Sequence, residues 1–124
     1  MSDPLTPPRA STASSIIRRR ADSVVGPVNR EIAGWQGQAA LLKARIQSSH
    51  LDASVRAAAR VEAGGLTHRI TQHLTSLERT VSQLPADVQA SARIDDTFRA
   101  MHQVIHGLRR ALVTSPQAGH DGKH

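Results

Sequence analysis

The spacing of the apolar residues is what most limits the folds open to this chain. From Ile17 onward they recur every three or four residues, the interval that puts side chains on one face of an α-helix. Ile17, Ala21, Val24 and Val28 open a first seam, and Ile32, Trp35, Ala39, Leu42 and Ile46 extend it. Leu51, Val55 and Ala58 begin a second, which resumes as Ile70, Leu74, Leu77, Val81 and Leu84 after a one-residue slip of phase around Gly64-Gly65. The third runs Ile94, Phe98, Met101, Ile105, Leu108, Leu112. No stretch alternates with the period of two that marks a half-buried strand.

The punctuation agrees with these seams. Gly26-Pro27 interrupts the first, and a proline there lacks the N–H of a helical hydrogen bond, so a kink or a fresh helix start is expected at Pro27. Ser48-Ser49-His50 separates the first two seams and offers an N-cap serine, while Pro85 closes the second and opens the third. Asp95 and Asp96 near the start of the third segment, with Arg109 and Arg110 near its end, suit the helix dipole. The segments are thus 13–47, 50–84 and 86–113, and short links make neighbouring helices antiparallel. The expected fold is all-α, an elongated antiparallel three-helix bundle with its first helix kinked or split at Pro27. The alternative is a helical hairpin that completes its core by self-association. A turn near Ser48-Ser49 puts Gly34 level with Gly64 and Trp35 level with Ala63. Gly64-Gly65 then either opens a gap for the indole or breaks the second helix.

Residues 1–12, with Pro4, Pro7 and Pro8, read as a disordered leader, 13–114 as a single helical domain, and 115–124, with Pro116, Gly119 and Gly122, as a disordered tail. Arg18-Arg19-Arg20 resembles the start of a twin-arginine export signal, but Ala21-Asp22-Ser23 follows it in place of a long apolar segment. A Ser/Pro-rich leader also suits export signals read unfolded; the expectation is an ordinary chain end and a cytoplasmic location. Nothing approaches the ~18 consecutive apolar residues of a membrane span.

Composition narrows the chemistry. Leu, Ile, Val and Phe number 27 of 124 residues, enough for one modest core, and 18 alanines favour helix. The absence of cysteine rules out disulfides, thiolate metal sites and cysteine nucleophiles. One Trp, one Phe and no Tyr leave no aromatic platform for stacking bases. His102 and His106, four apart, share a helix face and could begin a metal site, with Asp95 a turn away. The glutamate of the metalloprotease helix is absent, and the simpler reading is surface histidine. With no phosphate loop or nucleophile elbow, the chain is expected to be no enzyme, with no cofactor and no metal.

Trp35-Gln36-Gly37 is similar to the tripeptide of the small secreted WXG-type helical hairpins, a likeness that covers three to five residues. In that family the motif lies in the turn between two helices. Here Trp35 is in phase with Ile32, Ala39, Leu42 and Ile46, which puts it mid-helix.

The formal net charge is +6, and 14 of the 16 cations are arginine. The excess is concentrated in the first helix at Arg18, Arg19 and Arg20, the expected electrostatic contacts to a partner. Leu41, Val104 and Val113 are apolar residues outside the seams, so each is either a partner contact or part of a wide core stripe. Trp35 becomes a partner anchor if it is exposed. The function expected is a non-catalytic protein-interaction module: an adaptor, a chaperone-like protein or a small subunit of a larger assembly. Its partner is another protein, docked along a groove between helices, or a second copy of the chain. The alternative is a basic helical nucleic-acid-binding protein.

Overall fold

The computed structural model of the protein describes the backbone of residues 9–114 and the side chains of residues 13–114. Four helices occupy most of it: α1 (Arg9–Gln47), α2 (Ala53–Ser82), α3 (Ala86–Gln89) and α4 (Ala92–Val113), and there is no strand among the described residues. The chain is all-α. The leader expected over 1–12 and the tail over 115–124 lie outside the described residues, except for the backbone of 9–12, which belongs to α1.

A split at Pro27 does not occur. α1 runs 39 residues through that proline as one helix. Pro27 forfeits one backbone hydrogen bond, to the carbonyl of Ser23. Both residues are exposed, so water can reach that carbonyl, while Val25 beside them is buried and Val24 and Val28 pack on the core. Packing on both sides of the defect thus carries the helix across it. Val25, outside the expected seam, is the buried position here.

Trp35 packs against His73 of α2, with ring centroids 5.1 Å apart and planes inclined at 56°. The expected register paired Trp35 with Ala63, so the true partner lies ten residues further along α2. The link over 48–52 therefore does not fold α2 back at once. The first turns of α2 stand past the end of α1, and Leu51 and Val55 are exposed there. Along α1 and α4, by contrast, residue numbers rise together: Asp22 meets Arg93, Asn29 meets Thr97, and Lys43 meets Gly107.

The phase slip expected at Gly64-Gly65 is also absent. α2 is continuous through both glycines, and neither has a positive φ. Its buried residues are Ala59, Ala63, Leu66, Ile70, Leu74, Leu77 and Val81, one unbroken stripe at spacings of three and four. Leu51, Val55 and Ala58 are outside it. The apparent slip came from giving the core to the larger side chains where the close approach of helices takes alanines. Nor do the glycines open a gap for Trp35, since a Cβ at Gly64 would meet nothing within 4 Å, and one at Gly65 meets only the Arg69 guanidinium at 3.6 Å.

The N-cap of α2 is Asp52 rather than a serine, and its side chain makes no capping bond. Ser48 Oγ instead accepts from the His50 N–H at 3.2 Å, which shapes the link. The third segment is two helices. Val88 anchors the single turn of α3 in the core, and the chain breaks at Ala90-Ser91. Ser91 is the N-cap of α4, its side chain accepting from the Arg93 N–H at 3.2 Å, and this local bond favours a new helix start over continuation. Gln89 Nε2 donates to the Leu84 carbonyl at 2.7 Å and ties the turn before α3 closed. α4 keeps the expected stripe of Ile94, Met101, Ile105 and Leu108, with Phe98 and Leu112 half-buried, and adds Val104 and Ala111.

Candidate interaction surfaces

Between α1 and α2 lies an open groove of about 420 Å³. α1 supplies Gln38, Leu41, Leu42 and Arg45, which helical spacing puts on one face, and α2 supplies Val61, Glu62, Gly65, Leu66 and Arg69. Leu42 and Leu66 are core residues and form its floor. Leu41 and Val61 rise on opposite walls and are 52% and 76% exposed. The groove exists because α2 lacks a side chain at Gly65. The Arg69 guanidinium folds back toward that position and, with Arg45 and Glu62, makes a charged rim.

Leu41, expected from its place outside the seam, therefore lines a real concavity. Val113 is exposed at the last turn of α4 and lines none of the described concavities. Val104 is only 6% exposed and sits in the core, where a partner cannot reach it; the stripe on α4 is wide enough to include it. Trp35 is only 7% exposed and lies against His73, so it is no surface anchor in this state. Its Trp-Gln-Gly tripeptide lies within α1 and not at a turn.

Arg18, Arg19 and Arg20 are exposed. Consecutive helical residues point about 100° apart, so this run in sequence is not a cluster in space. Arg18 lines a shallow hollow with Ser14, Ile17 and the start of α4 at Ser91, Ala92 and Arg93. There Asp22 Oδ1 already takes Arg93 Nε at 3.6 Å. His102 and His106 share the exposed face of α4, and among the described residues no three His, Cys, Asp or Glu side chains come together to hold a metal ion.

Val61 went unnoticed in the sequence, although a legible signal existed. It is out of phase with Ala59, Ala63 and Leu66, on the opposite side of α2 from a narrow stripe. No described helix is long and apolar enough to cross a membrane. Compared with family models, curated proteins and solved structures, the chain matches none.

Proposed function

We propose that the chain is a non-catalytic helical protein-interaction module, an adaptor, chaperone-like protein or small subunit of a larger assembly. Its frame is an elongated bundle in which α1, α2 and α4 run up, down and up, with α1 bent where Pro27 drops a hydrogen bond. Trp35 meets His73 while Leu42, later in α1, shares a groove with Leu66, earlier in α2, and Asp22 and Asn29 meet Arg93 and Thr97 in rising order; both support that frame. Its working surface is the groove between α1 and α2, which takes an amphipathic helix of a partner protein.

The observation that carries this reading is the pair Leu41 and Val61, two large apolar side chains left uncovered on facing walls above Leu42 and Leu66. Covering Val61 alone is worth on the order of 1–2 kcal/mol. The Arg45 and Arg69 rim favours a helix with acidic residues flanking its apolar face.

The test is the double variant Leu41→Asp/Val61→Asp. Both positions are exposed, so helicity and Tm stay within the range of surface changes. Proteins cross-linked to the wild-type groove through a photoreactive residue at Gln38 are expected to be lost from the variant. Retention of the same cross-linked proteins by the variant would refute the groove as the interface. Sedimentation of wild type and variant reads whether the occupant is a second copy of the chain.

A further inference from the structure

The second half of α4 carries a face of another kind. After Asp96 the described chain contains no acidic residue, whereas Arg99, His102, His106, Arg109 and Arg110 all lie in this stretch and all are exposed. Arg99, His102, His106 and Arg109 recur at intervals of three and four and line one shallow hollow along the helix. Beside them runs a second row, Arg99, Gln103, Gly107 and Arg110, at intervals of four, four and three.

This second row lacks a polar side chain only at Gly107, and there α1 supplies a charge. A Cβ at Gly107 would sit 3.4 Å from Lys43 Nζ, so the ammonium occupies the space a larger residue would take. Lys43 and Gly107 share a notch with Gln36, Gln103 and two alanines of α1. Among the described residues the ion pairs are Asp22 with Arg93 and Asp96 with Arg99. None engages Lys43, Arg109 or Arg110. The Arg99 pair, at 3.3 Å and exposed on both sides, is of the kind worth little in water and easily exchanged.

We propose that this face binds the phosphate backbone of a nucleic-acid duplex, with Lys43, Arg99, Arg109 and Arg110 as the charge contacts and Gln36 and Gln103 as amide donors. From Arg99 to Arg110 the row is straight and about 16 Å long at 1.5 Å per residue. A duplex presents one phosphate per 3.4 Å of its axis on each strand, so the row is as long as about five base-pair steps of axis. Arg, Lys and Gln are the side chains that hold phosphate oxygens. Between Arg99 and Arg110 the large apolar residues Met101, Val104, Ile105 and Leu108 are buried, and Val113, one turn further on, is a single exposed valine, too little to anchor a peptide or to insert into a lipid layer. No exposed Trp, Tyr or Phe accompanies it, so the contact is with the backbone and indifferent to base sequence. The surface is separate from the α1–α2 groove and stands or falls independently of it.

The experiment is fluorescence anisotropy of a labelled 24-base-pair DNA duplex, and of the RNA duplex of the same sequence, titrated with the full chain at 50, 100 and 200 mM salt. Four phosphate contacts predict that log K falls with log salt at a slope of about −3 to −4. The double variant Lys43→Gln/Arg109→Gln is expected to flatten the slope by about 2 and to weaken binding about tenfold or more at 50 mM. The triple variant Arg18→Gln/Arg19→Gln/Arg20→Gln, which removes more charge elsewhere, should weaken it less. Equal affinity for both duplexes supports a backbone contact. Three results would each overturn the proposal: no binding at 50 mM salt, a greater loss in the Arg18–Arg20 variant, or displacement of the duplex by polyglutamate at equal charge concentration.

Discussion

In the second half of α2 the buried side chains are Ile70, Leu74, Leu77 and Val81, and the residues between them are polar. In its first half the buried residues are Ala59, Ala63 and, at its end, Leu66, while Val55 and Val61, both larger than alanine, face outward. The two halves belong to one continuous helix with one continuous stripe, yet they bury different amounts of apolar surface per turn. The difference lies in how closely neighbouring helices approach. Ala59 and Ala63 are 2% and 0% exposed, so neighbouring side chains close in on their methyl groups, and the larger Val55 and Val61 are left for the surface. Size alone is thus a poor guide to burial in a helix whose neighbours are close; phase is the better one.

Three substitutions measure this contrast. Leu77→Ala removes a side chain that is 5% exposed and is expected to lower stability by roughly 2–5 kcal/mol in chemical denaturation, enough to unfold a marginal domain. A loss below about 0.5 kcal/mol would show that the second half of the stripe is not core. Ala63→Leu adds bulk to a fully buried alanine in the first half, and overpacking should lower stability by roughly 1–3 kcal/mol. If it stabilised the protein instead, the close approach there would be disproved. Val55→Ser changes a residue that is 41% exposed in the first turn of α2, and its effect on Tm should correspond to no more than about 0.5 kcal/mol.

The reach of sequence reading follows the same division. α4 was legible almost residue by residue because its large apolar residues are its buried ones, as at Ile94, Met101, Ile105 and Leu108. α1 was legible from Ile32 to Ile46 because its buried residues keep one phase, which leaves Leu41 outside. Its passage through Pro27 was not, because the weight of packing on either side of a proline is a tertiary quantity. The register of α1 on α2 was hidden as well. It depends on how far the link over 48–52 carries the chain before α2 begins, and Ser48 bonds within the link rather than capping α2. Of the surface residues, Leu41 could be found from its phase. The acid-free stretch beyond Asp96 is plain in the sequence, but the contribution of Lys43 to it is not, since only the fold brings α1 against Gly107.

Thr97 is the one buried polar residue among those described, and its hydroxyl contacts the side chain of Asn29, 2.8 Å away in space and 68 positions away in the chain. Its hydroxyl oxygen also stands 3.1 Å from the Arg93 carbonyl, and one proton cannot serve both acceptors. With the amide of Asn29 turned so that Nδ2 donates, both bonds are made. This contact spans a long interval of synthesis as well as of sequence. At about 5–20 residues per second, a ribosome needs roughly 3–14 s to deliver Thr97 after Asn29. For that interval the face of α1 meant for α4 has no cover, and α2 is the only long helix to follow it. A nascent chain of this design must hold an apolar stripe in waiting, and its exposure to aggregation is set by translation speed as much as by the stability of the finished fold.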